Sequence, residues 1–186
     1  MYHVNIKTDE GTEPVTRAVV VNFIKYDETD ATELTLIDSM TKAARELLEQ
    51  LLNVSLKQKT YQVTFDSDSL DDYRLRLPYG PYKDTFSLSS YDNEGTETAL
   101  TLNTDYYLTG NLFKELYIPS PSTYDYYIAE FISGYGTGTE TLPTVLSDAI
   151  CKLVKFWYDR GEMGKTIPDE IAAHVKEQLR VSSEAE

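Results

Sequence analysis

The sequence predicts an α+β fold: N-terminal helices including one long amphipathic helix, a small antiparallel β-sheet, then C-terminal helices and an extended tail. Three observations carry this. Apolar residues recur at three- and four-residue spacing from Leu34 to Leu52, and again from Leu146 to Trp157, the period of a helix with one buried face. Between those stretches the period falls to two, with Tyr61, Val63 and Phe65 alternating with Gln62, Thr64 and Asp66, the mark of half-buried strands. The middle region holds no strand–helix–strand unit, so its sheet is expected to be antiparallel.

Each element follows in order. Residues 1–13 are polar and poorly patterned, a flexible arm or at most an edge strand. Glu13-Pro14-Val15-Thr16 leads into a short helix carrying Ala18 to Ile24, and the polar turn Tyr26 to Asp30 follows. Asp30 and Glu33 have capping-box spacing, which offers oxygens to the unpaired amides of a helix start. Leu34, Ile37, Ala44, Leu47, Leu48, Leu51 and Leu52 then form the stripe of a long helix, about six turns, ending near Asn53.

The strands begin at Tyr61. Leu75 and Leu77 alternate with Arg74 and Arg76. Phe86 and Leu88 lead to Tyr91, the turn Asp92-Asn93-Glu94-Gly95, and a return through Leu100 and Leu102, which reads as a hairpin. Further strands are expected over Tyr106 to Leu108, Leu116 to Ile118 and Tyr124 to Ile132. Pro143 suits a first helical turn, Leu146, Ala149, Ile150, Leu153, Val154 and Trp157 make one stripe, and Gly161 ends it. Pro168 opens a last short helix with Ile171, Val175 and Leu179 on one face, and Val181 to Glu186 read as a disordered tail. The chain thus divides into an arm (1–13), an α+β body (14–163) and a C-terminal segment with tail (164–186).

The 186 residues suit one continuous core, since a chain of this size buries roughly 70% of its unfolded surface without disulfides or metal. No apolar stretch approaches membrane-spanning length, and no signal-peptide pattern opens the chain. Charge is the first unusual feature: the net value is −14, from 31 acidic and 17 basic residues, and Lys114 is the only cation between Asp84 and Asp148. Such a surface repels phosphate backbones and argues against a nucleic-acid reader. It also keeps a protein soluble and monomeric before assembly.

Catalytic patterns fail on inspection. Gly134-Tyr135-Gly136-Thr137-Gly138 lacks the dinucleotide fingerprint's third glycine, which is Thr139, and reads as a strand-to-helix connection. Gly164-Lys165-Thr166 lacks the earlier glycine of a phosphate loop, that position being Asp159. The only two histidines, His3 and His174, have no ligand-spaced companions, and the single cysteine, Cys151, sits among Ile150, Leu153 and Val154 as a small hydrophobe. Asp66, Asp68, Asp71 and Asp72 lack the calcium-loop pattern and read as a solvated loop. No enzyme, cofactor or metal is therefore expected. Tyrosine is the second unusual feature, with 15 copies, including Tyr106-Tyr107 and Tyr124, Tyr126 and Tyr127. These fit strand positions first, then protein interfaces, and last a carbohydrate-binding platform.

Four segments in order resemble the head–tail connector (adaptor) family of tailed bacteriophages. They are Glu13 to Thr16 with the long helix holding Ala43-Ala44-Arg45-Glu46-Leu47-Leu48-Glu49; the hairpin Tyr91 to Glu97 followed by Leu100 and Asp105-Tyr106; Ile132-Ser133-Gly134-Tyr135-Gly136 followed by Leu142-Pro143 and a helix ending Phe156-Trp157-Tyr158-Asp159; and Ile167-Pro168-Asp169-Glu170-Ile171 with a helix closing on Leu179-Arg180. The long polar arm and the tyrosine-rich segment between Asn111 and Tyr127 depart from the family pattern.

The resemblance implies a subunit of a ring, typically twelvefold, beneath the capsid portal in the virion neck, assembled in the host cytoplasm. The ring would extend the DNA channel, pass DNA without sequence-specific binding, and dock the next neck or tail protein. It implies Ile167, Pro168, Ile171, Val175, Leu179, Arg180 and Val181 as candidates for docking the portal protein. Arg45 and Glu49 on the long helix would offer charges to a neighbouring identical subunit, and Tyr126 and Tyr127 are further interface candidates. A tail-terminating or other neck protein is the alternative within the same class, and a carbohydrate-binding domain is the alternative outside it.

Overall fold

The computed structural model describes residues 2–9, 12–26, 30–111, 113–121, 126–135 and 142–184. They group into two compact units built from interleaved segments: strands from residues 1–11 and 57–135, and helices from residues 12–56 and 136–186.

The helical unit has four helices among the described residues. The first is α1, Arg17–Ile24, which turns its buried side with Val20, Val21 and Ile24. Next comes α2, Ala31–Leu52, starting where the Asp30 side chain accepts from the Thr32 amide at 2.8 Å and ending on Asn53 in the left-handed region. Both ends were legible in the sequence, because Asp and Asn tolerate the cap geometries better than apolar residues do. Its buried stripe is Ile37, Met40, Ala44 and Leu48, joined by the polar Thr41, Arg45 and Glu49. Helix α3, Thr144–Arg160, buries Leu146, Ala149, Ile150, Cys151, Leu153, Val154 and Trp157. Gly161, with φ 70°, caps it. This helix touches α1, α2 and the last helix, so it is the centre of the unit.

The last helix, α4, spans Asp169–Glu184. It is longer than the short helix expected from sequence, and it continues through Val181 to Glu184 where a disordered tail was expected. No glycine or proline follows Pro168 to break it, and propagating an existing helix is easy compared with starting one.

In the strand unit, eight strands among the described residues form two antiparallel sheets where the sequence suggested one. A five-stranded sheet has the order β1-β2-β8-β4-β5, with β1 His3–Thr8, β2 Lys59–Asp66, β4 Tyr82–Tyr91, β5 Glu97–Leu100 and β8 Tyr126–Ser133. A three-stranded sheet has the order β3-β7-β6, with β3 Arg74–Arg76, β6 Tyr107–Thr109 and β7 Glu115–Tyr117. The segment read as arm or edge strand is the edge strand β1, paired from His3↔Thr64 to Thr8↔Thr60 with an irregularity after Ile6. The expected hairpin is β4–β5, with Asp92 accepting from the Glu94 and Thr96 amides at 2.9 and 2.8 Å. Of the expected strand Tyr124 to Ile132, Tyr124 lies outside the described residues.

The inner faces of both sheets share one core. Val63, Phe65, Leu88, Ala129 and Phe131 of the larger sheet cluster with Leu75 and Leu116 of the smaller. Successive residues of a strand point to opposite faces, so the outer faces of the two sheets lie on opposite sides of that core. Aromatic rings stack within it, Tyr61 on Tyr79 at 4.9 Å and Phe65 on Tyr127 at 5.3 Å between centroids.

The end of β8 is tied down closely. Gly134 has φ 106°, and its amide donates to the Pro81 carbonyl at 2.9 Å. A Cβ at this position would lie 2.1 Å from the Lys57 carbonyl oxygen. Both the backbone conformation and the space thus require glycine. Gly134→Ala is expected to lower unfolding stability by about 2–3 kcal/mol, read as a lower urea midpoint. A midpoint equal to that of the unmodified chain would show that the backbone relaxes freely there.

Candidate functional site

The positions singled out from sequence separate into a buried ionic cluster, a C-terminal helical segment and a pair of tyrosines. Arg45 is 1% exposed and Glu49 6%. The Arg45 guanidinium donates from Nε to Glu13 Oε2 at 2.8 Å and from Nη1 to Glu49 Oε2 at 2.7 Å. The other Glu49 oxygen accepts the Leu56 amide at 2.8 Å. Burial opposes the Arg45 charge, but Glu13, Glu49 and Glu46 together outweigh it and hold the guanidinium protonated. The charges expected to face a neighbouring subunit are therefore used within the helical unit. They fasten the segment before α1 and the turn after α2 onto the middle of α2. Their i, i+4 spacing places both residues on the buried stripe.

The docking candidates fall on the α3–α4 connection and on α4. Ile167, Pro168 and Ile171 are half-buried. Val175 is 0% exposed, so it anchors α4 within the helical unit and presents nothing to a partner in this conformation. The side chains of Leu179, Arg180 and Val181 lie outside those described. Next to this connection, Gly164 approaches Trp157, whose indole nitrogen is buried without a hydrogen-bond partner.

The tyrosine pair divides between two environments. Tyr127 is 3% exposed and stacked on Phe65, a core position that cannot serve as an exposed platform. Tyr126 is 40% exposed and lies parallel to Tyr91, with centroids 4.9 Å apart and an interplanar angle of 7°. Burial and the adjacent Glu97 push the Tyr91 phenol up, keeping it a hydrogen-bond donor at neutral pH.

The second aromatic face was not picked out from sequence. On the outer side of the smaller sheet, Arg74, Tyr117 and Tyr107 stand in register across three strands. The Arg74 guanidinium lies 5.0 Å from the Tyr117 ring centroid, and that of Arg76 lies 5.3 Å from Phe113. The Arg-Leu-Arg alternation of β3 was the available signal, but its pairing with Tyr107 and Tyr117 is a property of the fold.

Among the described residues, no group of three or more His, Cys, Asp or Glu is placed to hold a metal ion. Asp66 accepts from the Ser69 hydroxyl at 2.6 Å within its own loop. No helix among the described residues is long and apolar enough to cross a membrane. The Gly134 to Gly138 segment lies partly outside the described residues. Cys151 is buried, and burial with Asp148 nearby pushes its thiol up to about 11.

The described sheet faces thus carry aromatic pairs and paired charges. Solved structures share the fold. A chain of the neck of a native GTA particle computed with C12 symmetry matches with TM-score 0.64 and 22% identity over 94% of this chain and 93% of that one. A chain of the virion of a native gene transfer agent particle matches with TM-score 0.70 and 18% identity over 94% and 93%. A chain of the neck of an empty GTA particle computed with C6 symmetry matches with TM-score 0.70 and 20% identity over 84% of each. No curated protein sequence matches significantly. The chain belongs to the head completion protein family, whose model matches residues 15–168. It is accordingly a structural protein of phage-type virions, of the same broad class as the connectors that its four segments resemble.

Two outcomes follow from the buried groups. Arg45→Ala removes the guanidinium that faces the buried Glu49 and is expected to cost about 3–5 kcal/mol, measured by urea unfolding; a loss under about 1 kcal/mol would mean that the pair is solvated after all. The thiolate is the reactive form of cysteine, so Cys151 should resist a disulfide reagent in the folded chain at neutral pH and react promptly in urea. Rapid modification of the folded chain would contradict its burial.

Proposed function

We propose that this chain is a head–tail connector (adaptor) subunit of the virion neck. Copies form a ring, about twelve in number, under the capsid portal, extend the DNA channel, and dock the next neck or tail protein. The observation that carries this reading is the family match across residues 15–168. The fold shared over 94% of the chain with a GTA neck protein supports it, and that neck was computed with C12 symmetry.

The physical chemistry agrees with the role. A net charge of −14 repels phosphate, so DNA passes a lumen built from such subunits without adhering to it. Closed rings of identical copies need two different, complementary faces on each subunit. A chain that waits in the host cytoplasm before assembly stays monomeric more readily when it carries high like charge.

Portal docking is assigned to the α3–α4 connection and the first turn of α4. Ile167, Pro168 and Ile171 keep part of their apolar surface in solvent, while the buried Val175 holds the helix in place. Leu179, Arg180 and Val181 continue the same helix toward its end. Removing the whole segment after Met163 would also remove Val175 from its packing, so a point change separates docking from folding more cleanly.

The direct experiment is co-expression with the portal protein of the same genome, followed by electron microscopy of the purified complex. A ring of these subunits seated under the portal is the expected image; a bare portal beside free monomer would refute the assignment. Ile167→Asp should leave unfolding stability nearly unchanged and weaken portal capture about tenfold or more. Capture at full strength would move the docking surface elsewhere.

A further inference from the structure

The two outer sheet faces are chemically complementary. On the five-stranded sheet, Glu97, Tyr91 and Tyr126 stand side by side in register, on strands β5, β4 and β8. The adjoining hairpin turn adds Asp92 and Glu94, both exposed. Hydrogen bonds from the Thr96 backbone, with lesser ones from neighbouring turn residues, hold the Asp92 carboxyl below its usual range, so it stays ionised. No lysine or arginine occurs between Asp84 and Lys114 to neutralise this region.

The three-stranded sheet presents the opposite sign with the same ring chemistry. Its outer rows are Arg74-Tyr117-Tyr107 and Arg76-Glu115-Thr109. Arg74 pairs with Glu115 at 2.7 Å, both side chains partly in solvent. Arg76 lies over Phe113 and has no carboxylate partner among the described residues. An exposed concentration of arginine and tyrosine is the composition of protein-interface hot spots. The partner it fits is an acidic, tyrosine-bearing surface.

We propose that this partner is the Glu97-Tyr91-Tyr126 row and hairpin turn of a second copy of the same chain. Opposite charge selects the pairing, and rings on both sides, Tyr91 stacked on Tyr126 and Tyr107 tilted against Tyr117, supply the area that excludes water. The placement fits a closed ring: because the inner faces of both sheets share one core, the basic row and the acidic row lie on opposite sides of it. Each copy can then use one row toward each neighbour, the head-to-tail arrangement that closes into a ring. The inference names the self-contact that the adaptor reading requires and rests on that reading for the ring. Its test is made on self-association itself.

Full-length chain would be sedimented over a range of concentrations at low salt, alone and with portal particles. The basic row is reversed in R74E/R76E, the acidic row in E94R/E97R, and both in a fourfold variant. R76E alone guards against misfolding, since Arg76 has no carboxylate pair to lose. Wild type is expected to self-associate; each reversed row, and R76E to a smaller degree, weakens association about tenfold or more, and the fourfold exchange recovers it. The proposal is overturned if wild type never self-associates, even on the portal. It is overturned equally if natively folded single-row variants associate like wild type, or if the fourfold exchange fails to recover association. Loss of binding to a short DNA duplex in R74E/R76E, with self-association unchanged, would assign the row to DNA and also overturn the proposal. Self-association through these rows without any portal capture would leave this contact standing and sink the adaptor reading.

Discussion

Side-chain alternation along β8 sets both faces of the strand unit at once. Tyr127, Ala129, Phe131 and Ser133 are buried, while Tyr126 is exposed and Ile128, Glu130 and Ile132 are half-buried. The strand lies at the centre of its sheet, paired with β2 from Lys59↔Ser133 to Asp66↔Tyr126 and with β4 from Tyr82↔Ser133 to Tyr91↔Tyr126. A slip of one residue would send Phe131 to solvent and Glu130 into the core, so the register is strongly specified. The same register that fills the core therefore brings Tyr126 beside Tyr91. Gly134 and the Ser133 hydroxyl, which donates to the Pro81 carbonyl at 2.8 Å, hold the end of the strand in that position.

The helical unit answers a different constraint with a buried charge. A guanidinium at 1% exposure is tolerated only where its donors are matched, and here Glu13 and Glu49 take the best-formed bonds. Replacing such a cluster by apolar residues is often neutral or stabilising in proteins generally, so its value lies in what it positions. Glu49 ends on the Leu56 amide, which places the exit of α2, and Glu13 places the entry to α1. One side chain, Arg45, thereby orients two chain segments at once.

Much of the architecture was legible because local rules and packing agreed. Asp30, Asn53, Pro143 and Gly161 sit at helix ends, where their backbone preferences put them, and the alternation of Tyr61, Val63 and Phe65 marks β2 directly. The sheet architecture was hidden by long-range pairing. Nothing local distinguishes β3, β6 and β7, three residues each, from further strands of the larger sheet: β3 finds its partner far along the chain, Arg74 opposite Tyr117, and the β6–β7 pair carries no local mark of the sheet it joins. The interleaving of the two units was hidden for the same reason. Arg45 and Glu49, which the resemblance offers to a neighbouring subunit, lie on α2 one residue beyond Ala44 and Leu48, inside the buried stripe. The length of α4 was underestimated because a polar composition was taken as disorder in a segment that holds no helix breaker. The two sheet rows were illegible in principle, because rows run across strands and the sequence runs along them.

Charge and assembly are in tension in this chain, and the sheet rows show how the tension can be resolved. Copies carrying −14 each repel one another at a distance, yet exposed charges are screened beyond about 8 Å at physiological salt. Repulsion therefore discourages chance encounters, while the attraction of Arg74 and Arg76 for a carboxylate row acts only at contact and only in one orientation. A few well-placed cations in an acidic protein give more orientational specificity than the same cations in a neutral one, because every wrong docking meets like charge. In a neck, such a balance favours copies that are already held side by side by a common platform over copies that meet free in solution, since the platform removes the cost of bringing them together. On the proposed adaptor reading, acidity that would keep DNA moving through a lumen and acidity that would restrain premature ring closure are one property of the chain serving two ends.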